Sequence, residues 1–486
     1  MSIGSISFVQ EPVQSNTPVI TNWTPIVPYT VYQDDISGLF YFKLILEVRL
    51  TDGSGELIAK LKQRRNGFAD DITADEARAS FDLRDIVNSQ LEDTIADQNS
   101  TTNTIHKLGA NVTTKVYSDN YNQIKAIYVK AYQEYSTTAA STPSENAAVS
   151  VNDTLYYIAA SLPLETARGT QYFQGGSTDA PFRSYTSSYK TDKVLSNVVA
   201  GNGRGTDSLG SVMRNYVQDT DYHTIGFLND QTNFQSHVKF FQIVFYNDSG
   251  ALNTTYIRNN ETNGGAIPSA SGGEVSKNAE RLLYYGCGPA NLEAQTVSGD
   301  GNAKPSNNSG WTYYTVRGTN TDSSPSDTDF MTATYYFIRE DGSCKGFKVR
   351  RLAWRNSFGC YDYFNFTKKS TQTVEVEQNN YQTLLGNFSS NMYSYDNFGR
   401  GKRTRQTTAI VKETLNTDWI GEEEAQLLET LIMSTNVQIV ENADTDYTVP
   451  VMITDKSIIR KTQANDGVKI RYTINIEYAN PLNTNS

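Results

Sequence analysis

The feature that most constrains the fold is a two-residue alternation of apolar and polar side chains in many short segments. In the clearest case, Phe40–Leu50 carries an apolar residue at every even-numbered position. A half-buried β-strand has this period, because successive side chains point to opposite faces of the sheet. Asp52–Gly55 follows as a turn, and Leu57, Ala59 and Leu61 then alternate with lysines. The pattern therefore predicts an antiparallel hairpin.

Composition and further alternating segments favour a β-rich fold along most of the chain. Only 38% of the 486 residues are hydrophobic, but 31 Tyr and 20 Phe raise the aromatic share to 11%, and aromatic residues are enriched in strands. Turns rich in Gly, Asn and Asp separate the other predicted strands: Tyr121–Tyr135, Leu155–Leu162, Tyr222–Leu228, Val238–Tyr246, Ala251–Arg258, Arg281–Tyr285, Trp311–Arg317, Phe330–Arg339 and Gly346–Trp354. We expect a mainly β protein built from tandem β-sandwich domains of immunoglobulin or fibronectin type.

Two segments have helical spacing instead. Asp82 can cap a helix whose apolar residues lie three and four positions apart, from Leu83 to Ile95. Near the C-terminus, Thr417 or Asp418 can cap a second helix. After it, three strands are predicted, at Val437–Val440, Tyr447–Thr454 and Val468–Tyr478. The last part of the chain therefore reads as an α+β domain.

Composition shifts divide the chain into three predicted domains. The Ser/Thr/Ala-rich stretch Ser136–Asp153 has no apolar period and marks the first boundary. We expect an N-terminal β-sandwich with one short helix over 1–150, a second β-rich part over 151–366 and an α+β oligomerisation domain over 367–486.

The sequence offers little catalytic chemistry. It has three histidines and three cysteines, with no CxxC pair. Gly201, Gly203 and Gly205 lack the flanking strand and helix of a nucleotide-binding loop. Cys287 has few His partners and is interpreted as a buried residue near a turn. We therefore predict no enzyme activity, no catalytic residue and no cofactor, although a carboxylate pair for sugar cleavage stays open.

The same expectation holds for metals. Asp219 with Asp221, and Asp327 with Asp329, offer oxygen ligands of the kind that calcium prefers. Neither pair has the Gly and distal Glu of a calcium-binding loop, so we interpret both as solvated turns and predict no metal site.

Charge is spread unevenly along the chain. The formal net charge is -11, yet basic residues outnumber acidic ones two to one between Arg339 and Arg405. Arg400, Lys402, Arg403 and Arg405 lie close to Tyr393, Tyr395 and Phe398, a pattern that can track a phosphate backbone and stack bases. Pairing between subunits of an acidic homo-oligomer explains the cluster better than nucleic acid does. The predicted interface joins these four basic residues to Glu422, Glu423 and Glu424 of an adjacent subunit.

Several short motifs resemble uncharacterised virion proteins of tailed bacteriophages. The motifs are Asn22–Pro28, Phe81–Val87, the strand around Tyr128, Asp221–Leu228, Gly288–Leu292 and Leu352–Phe364. The C-terminal helix and strands are similar to the split β-barrel of tail-tube and distal-tail proteins. In that family such barrels assemble into rings. Cys360 after Gly359 departs from the family, which often has another small or aromatic residue there.

The resemblance implies a structural component of the tail, neck or baseplate that forms a ring with itself and with other virion proteins. A carbohydrate-binding tail adhesin is the alternative, and exposed aromatic residues grouped on one face would favour it. The first residues show no secretory signal, and no apolar run is long enough to span a bilayer. We therefore expect location in the virion, with no membrane partner.

Overall fold

The computed structural model divides the chain into two compact units. The first comprises Met1–Arg339 with Arg355–Asp362, and the second comprises Glu340–Trp354 with Tyr363–Ser486. The structure describes residues 5–10, 19–22, 29–50, 55–64, 75–91, 105–107, 116–117, 124–146, 150–151, 155–161, 194–198, 212–228, 238–258, 282–294, 301–322, 324–340, 346–383, 386–389, 391–394, 401–440, 448–457 and 469–485. The prediction that the chain has domain boundaries near residues 150 and 366 stays a prediction.

The first unit is mainly β. Its strands are β1 Ile6–Gln10, β2 Val19–Asn22, β3 Tyr29–Gln33, β4 Phe40–Leu50, β5 Leu57–Arg64, β6 Ala77–Phe81, β7 Val116–Tyr117, β8 Ile124–Ser136, β9 Ser144–Glu145, β10 Ser150–Val151, β11 Leu155–Ser161, β12 Arg214–Val217, β13 Thr224–Leu228, β14 Phe240–Asn247, β15 Gly250–Arg258, β16 Leu282–Gly286, β17 Tyr313–Thr319 and β18 Tyr335–Arg339. Its helices are α1 Arg84–Asn88 and α2 Pro289–Glu293, with 3₁₀ turns at Ile105–Lys107, Gly301–Ala303 and Pro305–Asn307.

Two sheets form the core of the N-terminal part of this unit. One has the order β1-β3-β6, and the other has the order β2-β11-β8-β4-β5, with β9 and β10 paired to β8. The predicted hairpin is confirmed, since β4 runs from Phe40 to Leu50 and pairs antiparallel with β5. Val31 and Ala79 of the first sheet share one hydrophobic cluster with Leu44 and Val129 of the second. The apolar faces of both sheets are therefore buried against each other.

The remaining sheets of the first unit have an aromatic interior. Their orders are β12-β18-β17-β14-β15 and β13-β16-β7. Tyr314 and Phe337 stack with ring centroids 4.9 Å apart, and Phe241 stacks on Tyr285 at 3.9 Å. These rings are almost completely buried. The many Tyr and Phe residues thus supply core volume here, as large apolar surfaces that leave water on folding.

The first helix is shorter than the sequence predicts. It spans Arg84–Asn88 and Leu83 occupies the N-cap, so the prediction of a helix capped by Asp82 and extending to Ile95 is wrong in its cap. The Asp82 carboxylate accepts a hydrogen bond from the Arg84 backbone N–H at 3.0 Å. The chain leaves the helix through a bond from Leu91 N–H to the Asn88 carbonyl. Ile95 lies outside the described residues.

The second unit contains one long sheet and one long helix. Its elements are β19 Arg350–Arg355, β20 Tyr361–Phe366, β21 Thr371–Gln382, β22 Asn387–Ser389, β23 Met392–Ser394, β24 Lys402–Asn416, α3 Glu422–Met433, β25 Val437–Val440, β26 Thr448–Ile453, β27 Thr473–Tyr478 and β28 Asn483–Asn485. The sheet order is β20-β19-β25-β26-β27-β24-β21, with β28 paired to β24. Leu427, Leu428 and Leu431 of α3 are buried, and Trp354 of β19 donates from Nε1 to Thr430 Oγ1 at 2.9 Å. The helix therefore packs on the sheet through its apolar stripe.

The predicted caps of this helix are wrong. Gly421 precedes Glu422, and the Glu424 carboxylate accepts a hydrogen bond from the Gly421 N–H at 2.7 Å. Thr417 and Asp418 have other partners: Thr417 Oγ1 accepts from the Tyr472 N–H, and Asp418 pairs with Lys368. An acidic residue inside the first turn therefore replaces the side-chain cap.

Six strands of the second unit among the described residues were not predicted: β20, β22, β23, β28 and the two longest. The two longest are β21 and β24, which pair over a register from Thr371–Thr414 to Gln382–Lys402. The expected strand Val468–Tyr478 is also shorter, because β27 begins at Thr473 and Ile470 makes only an isolated bridge to Ile420. Among the residues that the structure describes, no helix is long and apolar enough to cross a membrane.

Candidate assembly site

The predicted interface residues lie at opposite ends of one strand. Lys402, Arg403 and Arg405 are in the exposed first part of β24, and Glu422 begins α3 just beyond its end. Glu422 is exposed, whereas Glu423 and Glu424 are half-buried. Arg400 lies outside the described residues.

One chain cannot bring the two charge groups together. At about 3.3 Å per residue, the strand from Arg403 to Asn416 is roughly 40 Å long. The short link from Asn416 to Glu422 spans at most about 20 Å even when fully extended. The basic group therefore stays far from Glu422 of its own chain, and a contact between the two groups requires a second molecule.

The most unusual surface of the described chain is β21 itself. Every one of its 12 residues is exposed. The strand lies at the end of the sheet and pairs only with β24 among the described strands. We call β21 and its partner segment Lys402–Thr414 the ribbon. Both faces and one edge of β21 meet solvent, so its pairing with β24 is the main contact that holds this strand on the sheet.

The two faces of the ribbon differ in chemistry. Val374 and Val376 point to one face, where they are 50% and 51% exposed, opposite Val411 and Ala409. Glu375 points to the other face and forms an ion pair with Lys412. Directly opposite residues of an antiparallel pair share a face. β21 therefore presents an apolar face and an acidic face that are open to solvent, whereas its partner residues Ala409 and Val411 are buried and half-buried.

The base of the ribbon is anchored by a buried carboxylate. Glu413 accepts from Arg350 Nε at 2.8 Å, from Gln372 Nε2 at 3.0 Å and from the Tyr478 hydroxyl at 2.9 Å. Burial alone would raise the pKa of Glu413, but the bonds from Arg350, Gln372 and Tyr478 outweigh it and lower the pKa below its ordinary value. These bonds fix the position at which the ribbon leaves the covered part of the sheet.

The far end of the ribbon is closed by main-chain and aromatic contacts. Thr383 N–H donates to the Gly401 carbonyl at 2.8 Å. The small hairpin β22–β23 follows, with Phe388 opposite Tyr393. The Tyr393 ring packs over Gly386, where a Cβ would require the ring to move. Tyr393 and Met392 are exposed, which adds apolar surface at this end.

The surface next to α3 carries an exposed aromatic residue. Trp419 is half-exposed, and the Arg471 guanidinium lies 4.4 Å from its ring centroid. Its neighbour Asp418 pairs with Lys368 at 2.6 Å. Hydrogen bonding to Lys368 lowers the pKa of Asp418. Charged and aromatic groups therefore surround the first turn of the helix.

A second polar cluster lies inside the first unit. The Asp362 carboxylate accepts from Ser196 Oγ at 2.5 Å and from the Asn197 N–H at 2.9 Å. Asn356 donates to the Leu195 carbonyl and accepts from the Cys360 N–H. Burial raises the pKa of Asp362 to about 6, although the hydrogen bonds that its carboxylate accepts from Ser196 and Asn197 act to lower it. The cluster clamps the segment 194–198 against the turn that contains Gly359, whose φ of 86° suits glycine.

The cysteines of the first unit are packing residues. Burial raises the pKa of Cys360 to about 12, and a Cβ on Gly226 would collide with its Sγ. Cys287 is fully buried, as predicted, and its carbonyl accepts from the Tyr314 hydroxyl at 2.8 Å. A thiol held neutral by burial, as in Cys360, is a poor nucleophile.

The other candidate metal and catalytic residues, where the structure describes them, contact neighbouring residues of the fold. Asp219 pairs with Arg339, Asp221 accepts from the Gln218 N–H, and Asp329 accepts from Ser326. His106 and His223 are buried and pack edge-on against Tyr361 and Phe337. Gly201, Gly203, Gly205 and His237 lie outside the described residues. Within the described ranges, no group of three His, Cys, Asp or Glu side chains is placed to hold a metal ion.

The sequence of β21 has few apolar residues, so it lacks the long apolar side that marks predicted strands such as β4. The alternation Thr373-Val374-Glu375-Val376-Glu377 was a usable signal for a strand. Trp354 is fully buried, whereas Phe364 is only half-buried.

In comparisons with known proteins, no protein-family model matches the chain and no curated protein matches it.

Proposed function

We propose that the protein is a structural component of a bacteriophage virion that assembles with itself into a ring in the tail, neck or baseplate. In this proposal the first unit consists of tandem β-sandwiches, and the second is a split-barrel-like oligomerisation unit. The observation that carries the proposal is the ribbon, whose strand β21 is exposed at every residue. The resemblance to phage virion proteins supplies the biological setting.

The ribbon calls for a partner on physical grounds. β24 is paired on its other side with β27 and β28, but β21 has both faces and its outer edge exposed, so little burial stabilises it. A long edge strand with exposed valines is also a template for pairing with another chain, which proteins normally blunt or cover. Val374 and Val376 sit in the middle of such an edge. Assembly would cover this edge and prevent its uncontrolled pairing with other chains.

Charge favours a second copy of the same chain as that partner. The length of β24 separates Lys402, Arg403 and Arg405 from Glu422. The two groups of one chain are therefore too far apart to contact each other. Two copies arranged head to tail bring one group onto the other. Repeated head-to-tail contacts give a ring when the rotation closes and a filament when it does not.

The distribution of aromatic residues supports a scaffold over an adhesin. The largest fully buried side chains are all aromatic, headed by Trp354, Tyr29 and Tyr284. Stacking on a sugar ring needs aromatic faces open to solvent. In the described residues these rings fill the interior of the units, and exposed aromatic residues such as Tyr41, Tyr216 and Trp419 lie apart along the chain, in β4, in β12 and just before α3.

The proposal is tested by the mass of the full-length protein in solution. Sedimentation velocity over a range of concentrations is expected to show a closed oligomer for the wild type. The double variant V374K/V376K places two charges on the apolar face of the ribbon and is expected to shift the protein to a monomer. The matched control V151K/L252K changes two residues that are 54% and 40% exposed and adds the same charge. A wild-type chain that stays monomeric at high concentration would contradict the proposal.

A further inference from the structure

Two open sheet edges in the described chain have complementary sequences. β5 ends the sheet β2-β11-β8-β4-β5, and β21 ends the sheet of the second unit. Neither strand pairs on its outer side with another described strand. β5 reads Ala59-Lys60-Leu61-Lys62, and β21 reads Val374-Glu375-Val376-Glu377. Apolar and charged positions alternate in both, and the charges have opposite sign.

The two patterns fit each other face by face. On β5, Ala59 and Leu61 pack against the hydrophobic core, so Lys60 and Lys62 point outward. On β21, the valines share one face and the glutamates share the other. A register that places Leu61 beside Val376 also places both lysines beside the two glutamates. This holds whether the strands run parallel or antiparallel, because the pattern repeats every two residues.

The lysines of β5 are already held in place by their own sheet. Lys60 pairs with Glu145 at 2.8 Å, and Lys62 pairs with Glu134 and with Glu145. The side chains of Lys60 and Lys62 are nevertheless 29% and 38% exposed. An ammonium group has three N–H donors, and Lys62 uses two of them on Glu134 and Glu145, so a further carboxylate can still receive a hydrogen bond. The row of amines is therefore ordered before any partner arrives.

The core beside β5 is incompletely covered. Leu61 and Ala59 contact the buried cluster of the first unit but remain partly exposed, because β5 is the last strand of its sheet. Val374 and Val376 are half-exposed, at 50% and 51%. An added strand would bury both sets at once, and main-chain hydrogen bonds would supply the affinity.

Pairing of β21 with itself is the main alternative, and its charges oppose it. In an antiparallel pair of two copies of β21, the register centred on Val376 sets Glu375 opposite Glu377. A shift of one residue sets Glu377 opposite Val376. Like charges directly opposite each other are destabilising, and a valine against a carboxylate is not covered. A different strand with lysines at the same spacing has neither defect.

We infer that the occupant of the β21 edge is strand β5 of a second copy of this chain, so that each subunit donates its ribbon to the first unit of the next. The inference rests on the proposed self-assembly and adds the identity of the receiving strand. The donor and acceptor edges differ, so the contact is head to tail and leaves one free edge of each kind until the ring closes.

Cysteine cross-linking between two full-length variants tests the pairing. L61C and V376C are prepared separately, mixed, allowed to assemble and oxidised. Directly opposite residues of paired strands lie about 4.5–5.5 Å apart at Cα, within the range that a disulfide spans. We expect a disulfide-linked dimer in the mixture at about ten times the yield of the control mixture of L252C with V376C. Leu252 is 40% exposed on β15, which ends another sheet.

Two further mixtures decide the strand direction. A59C with V374C cross-links if the strands are parallel, and Q63C with V374C cross-links if they are antiparallel. These pairs also replace the first pair if L61C fails to fold. Equal cross-linking of L61C and L252C, or no cross-link in any of the three β5 mixtures, would overturn the inference. In that case an oligomeric wild type that V374K/V376K dissociates would leave the proposed function standing with a different receiving strand.

Discussion

Arg350 donates from Nε to Glu413 Oε1 at 2.8 Å, although three strands separate β19 from β24 in the sheet order. The sheet of the second unit must therefore curl until these two strands face each other. Both side chains are almost fully buried. The pair sets the curvature of the sheet at the position where the ribbon begins.

Removing the charge of Glu413 is expected to destabilise the second unit. E413Q leaves a buried guanidinium without a carboxylate, which costs about 3 kcal/mol of unfolding free energy. Urea unfolding followed by circular dichroism measures the loss. E375Q is the matched control, because Glu375 pairs with Lys412 at the surface and its removal costs less than about 1 kcal/mol. Equal effects of the two variants would show that burial of the pair contributes nothing.

The same carboxylate gives a pH dependence of defined sign. The folded-state pKa of Glu413 is lowered from its ordinary 4.5, so its contribution is present above pH 4.5 and is lost as the pH falls through the lower folded value. The stability difference between wild type and E413Q should therefore shrink in acid. A difference that stays constant from pH 7 to pH 3 would contradict this assignment.

Asp362 is expected to act in the opposite direction. Its pKa is raised from 3.8 to about 6, mainly by burial, so its contribution is full below pH 3.8 and is lost as the pH rises through 6. Relative to D362N, the wild type should lose about 3 kcal/mol of stability between these limits. Unfolding midpoints of both proteins at a series of pH values measure the effect. Parallel curves for the two proteins would exclude it.

The contact between Trp354 and Thr430 predicts a further cost. T430V keeps the shape of the side chain but leaves the buried indole N–H without its acceptor, which costs about 1–3 kcal/mol. T435V on the exposed residue after the helix is the control and should change stability by less than about 0.5 kcal/mol. Thermal unfolding of the two variants measures the difference. The prediction fails if T430V is as stable as the wild type.

The sequence predicted only some of the strands that have a buried side. β4 and β25 have the predicted bounds and bury their apolar residues, whereas β6 was not predicted although its residues alternate between buried and half-buried. β21 alternates equally well, but neither of its faces is buried, so its polar residues resembled a loop. The pattern of side chains indicates a strand, whereas burial depends on contacts made elsewhere in the fold.

The candidate site was predicted only in part. The basic group of β24 and the acidic turn of α3 follow from charge counting along the chain. Their separation along β24 depends on a strand that was not predicted. Contacts such as Arg350 with Glu413, and Asp362 with Ser196, join residues far apart in sequence. No local spacing signals such pairs, because the fold alone brings them together.

Reversing the charges at the start of β24 is expected to weaken assembly. R403E/R405E places acidic residues where the head-to-tail contact brings the acidic first turn of α3 from the next subunit, and both arginines are exposed, so the fold should not change. Charges at the rim of an interface chiefly guide encounter and exclude wrong partners. The defect should therefore appear as slower association, and in the wild type association should slow as salt rises.

The matched control for this pair is K369E/K456E, which reverses two exposed lysines of the second unit with the same change in charge. Light scattering at a series of rising protein concentrations follows association in all three proteins. Combining R403E/R405E with E422K/E423K restores opposite signs across the contact and should recover most of the association rate. If the combined variant is as slow as R403E/R405E, the basic group contacts some other surface of the neighbouring subunit, and the pairing of β24 with the first turn of α3 is wrong.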